Sequence, residues 1–201
     1  MGLMKGSAGF VRFSVEGDLP ENIWDYVAER ITAFSFKDID DTYDEDSLGW
    51  VSISNMFDTE FDYASYAAGN YVTLSMRLDE RKISAAIVKK FVAKEEERIK
   101  KEKEIPKISR SMRVEIKERI QNELMRKAPP MPSVFDLCWN LEDSTLLFFS
   151  TNKKAQALLE DLFKETFGMT IMQQIPYLCG EHLLDEEEAD RLARITPDIF
   201  V

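Results

Sequence analysis

Histidine, cysteine and long apolar runs are what this chain has least of. Its 201 residues include one histidine, His182, and two cysteines, Cys138 and Cys179. A structural zinc site takes ~4 ligands, and Cys179-Gly180-Glu181-His182 has no second pair to complete one. Ser–His–Asp catalysis would have to use that single histidine. Two thiols flanked by apolar residues make no disulfide framework and fit a reducing compartment. No segment approaches the ~18 consecutive apolar residues of a membrane-spanning helix. Met1-Gly2-Leu3-Met4-Lys5-Gly6 lacks a signal-peptide apolar region, and Gly6 stands where a myristoylation signal carries Ser or Thr. These absences predict a soluble, unexported, cytoplasmic protein with no membrane partner, metal or cofactor.

What the chain does have is charge, unevenly placed. Residues 81–127 hold 16 of the 26 Lys and Arg but 8 of the 37 Asp and Glu, a net of +8 that leaves −19 on the remainder. A basic segment on an acidic body points to a polyanionic partner, and says nothing about fold. Within it, Ile83, Ile87, Phe91 and Val92 are read as one helical face, followed by an almost wholly charged run from Lys94 to Glu104 broken only by Ile99. Pro106 forbids one continuous helix, so the chain turns there. Ser109 or Ser111 caps a second helix whose stripe is Met112, Ile116, Ile120 and Leu124. Two such helices form an antiparallel hairpin, with Glu115 and Arg119 paired at i, i+4, and a far end around Lys100–Lys107 that has few apolar residues to hold it.

The flanking sequence reads as α+β. Phe10–Val15 alternates as a strand, and Asp18 with Glu21 forms a capping box for a helix carrying Ile23, Trp24, Val27, Ile31 and Phe34. Asp38–Asp46 has six acids in nine residues but no calcium-loop spacing, so it reads as a solvated loop. Gly49–Ile53 starts a strand, Phe57–Ala68 is an irregular aromatic connection, and Tyr71–Leu78 is the clearest strand of all. Pro129–Pro132 reads as a stiff connector. Val134–Trp139 and Thr145–Ser150 make a β-hairpin, Thr151 or Asn152 caps a helix ended by Gly168, and Met169–Ile175 is a last strand. Residues 181–195 read as a short acidic helix or frayed tail. The expected organisation is an antiparallel or mixed sheet body with packed helices over 1–80 and 128–180, a projecting helical hairpin over 81–127, and an acidic tail over 181–201.

The ordered series Gly49-Trp50-Val51, Gly69-Asn70-Tyr71-Val72, Lys82-Ile83, Trp139 and Asn152-Lys153-Lys154-Ala155 resembles the RdgC family of recombination-associated DNA-binding proteins. The match runs from Phe10 to about Ile175. The resemblance implies a homodimer that closes around double-stranded DNA, does not read sequence, and limits recombinase access in the nucleoid. Longer members continue past the position of Val201, which implies a short member. Lys127-Ala128-Pro129 puts proline where the family has an aromatic at a dimer contact.

From the residues, phosphate contacts are expected at Lys89, Lys90, Arg110, Arg113, Lys117 and Lys127, which lie off the apolar stripe. The segment has no aromatic ladder for stacking single strands. The exonuclease label that the family carries could cite Glu115-Ile116-Lys117, but that triplet sits in a helix and the one Pro-Asp, Pro197-Asp198, follows it, so no enzyme and no small-molecule substrate are expected. A third possibility is an acidic interaction protein whose hairpin mediates dimerisation without DNA.

Overall fold

The computed structural model describes residues 2, 3 and 9–194, apart from the side chains of Leu178, Glu181, His182 and Ala193. In chain order the elements are β1 (Val11–Glu16), α1 (Ile23–Ala33), β2 (Asp46–Val51), α2 (Tyr63–Tyr66), β3 (Ala67–Ala68), β4 (Tyr71–Arg81), α3 (Ala85–Glu102) and α4 (Arg110–Lys127). There follow β5 (Pro130–Asn140), β6 (Thr145–Phe148), α5 (Lys153–Phe167), β7 (Thr170–Gln173), α6 (Pro176–Leu183) and α7 (Glu186–Arg194). Hydrogen bonding orders the strands β2-β4-β5-β6-β1-β7, with β3 paired to β4. The fold is therefore α+β, and the apolar β6 is central, as its composition requires.

The chain divides into two compact units. The first comprises Met1–Ser35, Trp50–Met76 and Phe135–Val201. Here β1 pairs antiparallel with both β6 and β7, and its alternation buries Phe13 and Val15 while Arg12 and Glu16 stay exposed. Facing them, α5 buries Ala155, Leu159, Leu162 and Phe163. Its ends follow the sequence. The Asn152 side chain accepts from the backbone N–H groups of Lys154 and Ala155, and Gly168 closes the helix at φ 65°, a conformation that glycine adopts without strain. At that same end, Tyr26 donates to the Phe167 carbonyl at 2.8 Å and Arg30 to the Glu165 carbonyl at 2.7 Å. A cation on the last carbonyls of a helix is favourably placed against its dipole. Trp50 donates from Nε1 to Thr166 Oγ1 at 2.8 Å, and Trp139 packs on Phe163 and Phe167.

Three sequence readings need correction here. The first helix is capped at Asn22, without a side-chain bond, rather than at Asp18. Pro20 favours extended backbone at Leu19 and so delays the helix start. The strand at Trp50 begins earlier, at Asp46, and ends at Val51. Finally, the proline-rich connector is the start of β5, where two residues without a backbone N–H are tolerated at a strand end.

The second unit comprises Phe36–Gly49 and Arg77–Val134. Two buried arginines organise its base. Arg77 donates to Asp79 from Nε at 2.8 Å and Nη2 at 2.6 Å, with its guanidinium 4.1 Å from the centre of the Phe36 ring. The bond to Asp79 raises the Arg77 pKa above its ordinary value. Arg81 donates to the carbonyls of Asp44 (2.9 Å), Ile39 (2.7 Å) and Thr42 (3.1 Å), and also to that of Ala128. The acidic segment 38–46 is therefore not simply a solvated loop. Its carbonyls wrap a buried cation.

Above this base, α3 and α4 pack as the expected hairpin. Ser84 and Ser109 cap the two helices, and Ile116 and Ile120 are buried with Ile108. Met112 and Leu124 pack against them, as do Val92, Ile99 and Ile105. The stripe on α3 differs from the sequence reading: Ile87 is 46% and Phe91 39% exposed. At 100° per residue Val88, Val92 and Ile99 share a face from which Ile87 and Phe91 are rotated away. Nor does the apolar seam stop at Val92. At the turn, Ile105 N–H donates to the Lys100 carbonyl at 3.2 Å while Glu104 takes φ 51°. This is a Schellman closure with glutamate where glycine is usual, and it draws Ile105 onto the core cluster.

Candidate nucleic-acid interface

The two flanks of the hairpin differ in charge chemistry. On one, the network is closed: Arg98 donates to Glu95 from Nη2 at 2.7 Å and Nε at 2.8 Å, and to Glu102 at 2.9 Å, while Arg119 also donates to Glu95. Glu115 pairs with none of these, since Arg119 reaches across to α3 instead of back along α4. Hydrogen bonding from Arg98, and then from Arg119, holds the Glu95 carboxyl down from its ordinary 4.5 to about 2. A depressed folded pKa stabilises the fold above about 4.5, and that contribution is lost as pH falls towards about 2. Acid titration of helicity should therefore show a limb in that window for the wild type and a smaller one for Glu95→Gln. Identical limbs would refute the assignment.

The other flank is an open groove of about 480 Å³, lined by Ile83, Val88 and Val92 with Lys89, Arg113, Lys117 and Gln121. Helical spacing explains the gathering. Arg110, Arg113, Lys117 and Gln121 stand at i, i+3, i+7 and i+11 on α4, so they form one stripe beside the buried seam. From α3, Lys89 enters the same groove. Glu96 lies two turns further along that face and accepts from Arg113 Nε at 2.9 Å.

Of the six expected contact residues, the groove brings together Lys89, Arg113 and Lys117. Arg110 continues their stripe. Lys90 is exposed about 100° around α3 from Lys89, and Lys127 ends α4 away from the groove lining. Among the described residues, Lys89, Lys117 and Arg110 have no acidic partner within ion-pair distance, whereas Arg113 has Glu96. The sequence reading missed Ala85, Val88 and Gln121 of the groove lining, and Glu96 as the partner of Arg113. The seven-residue step from Lys89 to Glu96 carried the signal, because it returns to the same helical face.

The suggested nuclease triplet is split by the helix. Glu115 lines a separate hollow with Arg119 and Lys103, while Lys117 lines the groove. Pro197-Asp198 and the His182 side chain lie outside the described residues, and so do residues 195–201 of the expected acidic tail. Among the described residues no three of His, Cys, Asp and Glu are grouped to hold a metal, and no helix is long and apolar enough to cross a membrane.

The class these observations define is an α+β fold with a helical hairpin that carries a groove lined by Lys89, Arg113 and Lys117. The family described as "Putative exonuclease, RdgC" matches residues 14–177. The chain belongs to the RdgC family, which connects it in general terms with recombination. No match was found among curated proteins.

Proposed function

We propose that this chain is a duplex DNA-binding protein that holds phosphates without reading sequence, and that it acts as a dimer clamping or encircling DNA and limiting recombinase access in the nucleoid. The observation that carries this reading is the convergence of Lys89, Arg113 and Lys117 on one groove in a chain whose net charge is −11. Arg110 extends the contact, and Lys90 and Lys127 add peripheral charge. Lysine and arginine contacts of this kind release counterions and contribute affinity that falls with salt. The test is a salt titration of binding to two unrelated linear duplexes.

Glu96 gives the reading a sharper prediction. Its carboxylate competes with phosphate for Arg113, so Glu96→Gln should tighten duplex binding several-fold and steepen the slope of log K against log salt by up to about 0.9. Fluorescence anisotropy at several salt concentrations checks this. Weaker binding by the variant would count against a phosphate role for Arg113.

Against the exonuclease label of the family, this reading expects that incubation of pure protein with linear duplex and Mg²⁺ or Mn²⁺ yields no cleavage. Co-purifying cleavage that Glu115→Ala removes would overturn the binding-only reading. A second reading, hairpin-mediated dimerisation without DNA, is favoured by Ile87 and Phe91, which lie exposed one helical turn apart on α3. It requires that no duplex binds even at ~50 mM salt.

A further inference from the structure

The groove has a floor that phosphates do not need. Ile83, Val88 and Val92 are half-buried there, open to water between three cations. A duplex backbone presents charge to such a surface but no large apolar side chain to cover it. Mostly apolar concavities with a few placed charges are the usual seats of ligands that carry both kinds of group. Charge complementarity decides the sign, because Lys89, Arg113 and Lys117 rim the floor and Glu96 already occupies one of them intramolecularly.

We propose that this groove docks a short acidic peptide segment of a partner protein, one with a large apolar side chain beside its carboxylates. The carboxylates pair with Lys89, Lys117 and Arg113, displacing Glu96 from the last. The apolar side chain covers Val88 and Ile83. Because Lys117 serves both ligands, the peptide competes with duplex for the groove. The hairpin is then a site where an acidic partner sets how much of the protein is available to DNA. Peptide docking does not rest on duplex binding; only the competition does.

The test uses the full chain and two fluorescein-labelled synthetic peptides, Asp-Asp-Asp-Leu-Phe and the equally charged Asp-Asp-Asp-Ser-Gly, followed by anisotropy at ~50 mM salt. The Leu-Phe peptide should bind about ten-fold tighter, the scale of burying one large apolar side chain. Val88→Ser should remove that advantage while leaving duplex affinity within about two-fold, since it changes no charge. Lys117→Glu should weaken the peptide and the duplex alike. Val88 lies outside the buried Ile108–Ile116–Ile120 cluster, and Ile83→Ser, which precedes α3, is a second variant should the first fail to fold. Equal binding of the two peptides, no binding of either, or an advantage that survives both serine variants would overturn the proposal. So would finding that the groove seats a second copy of the chain, seen as self-association that Val88→Ser abolishes with no peptide bound. Loss of duplex binding alone would strike at the DNA reading and leave the peptide arms to decide this one.

Discussion

Reversing Lys117 to glutamate should cut duplex affinity by about ten-fold or more at ~50 mM salt and flatten its salt dependence by about 0.9 for each phosphate no longer neutralised. Lys117 has no acidic partner within ion-pair distance among the described residues, so its whole charge is available to the ligand. Arg113→Glu should act in the same direction but more weakly, because Glu96 already offsets Arg113 in the free protein. Both variants should weaken unrelated duplexes by similar factors, since phosphates carry no base information. The acidic remainder opposes binding within roughly a Debye length, ~8 Å at physiological salt, so wild-type affinity should be modest and strongly salt-dependent. A wild type that fails to bind at ~50 mM salt would sink the reading, as would a slope that neither reversal alters.

Asp79→Ala should destabilise the protein by about 3–5 kcal/mol, the cost of leaving a buried guanidinium without its carboxylate. The Arg77 and Asp79 side chains are 6% and 2% exposed and lie 2.6 Å apart, so water cannot take over the pairing. The charges of Asp38 and Asp40 also favour the Arg77 cation, and two short bonds join it to Asp79. A double variant, Arg77→Met with Asp79→Leu, should recover most of the loss, because it buries no unpaired charge. Urea unfolding of the three proteins measures this. A single variant within about 1 kcal/mol of wild type would show that the pair is dispensable.

How much of this was legible follows from which residues carry which signal. Asn152, Gly168, Ser109 and the Met112–Leu124 stripe act locally, through caps and helical period, and the structure places them as the sequence reads. Of the residues that carry the family resemblance, Trp50 and Trp139 are buried and report the fold, whereas Ile83 lines the groove. The misreadings came where distant partners decide. Nothing local shows that Arg81 will bind carbonyls about forty residues away, or that Arg119 will choose Glu95 over Glu115. The groove was half legible: net charge located the hairpin, but only helical phase separates Lys89 from Lys90, and only the pairing of α3 with α4 brings Lys89 beside Lys117.

The bond from Arg81 to Ala128 joins the last residue before the helical excursion to the first residue after it. The two ends of that excursion therefore meet, and β4 and β5 lie side by side in the sheet. Residues 82–127 behave as a cassette: a tight turn could replace them and leave β4 and β5 as a plain hairpin. Lineages could then lengthen, shorten or recharge the helices without re-solving the strand pairing beneath, so what the protein meets can change faster than how it folds.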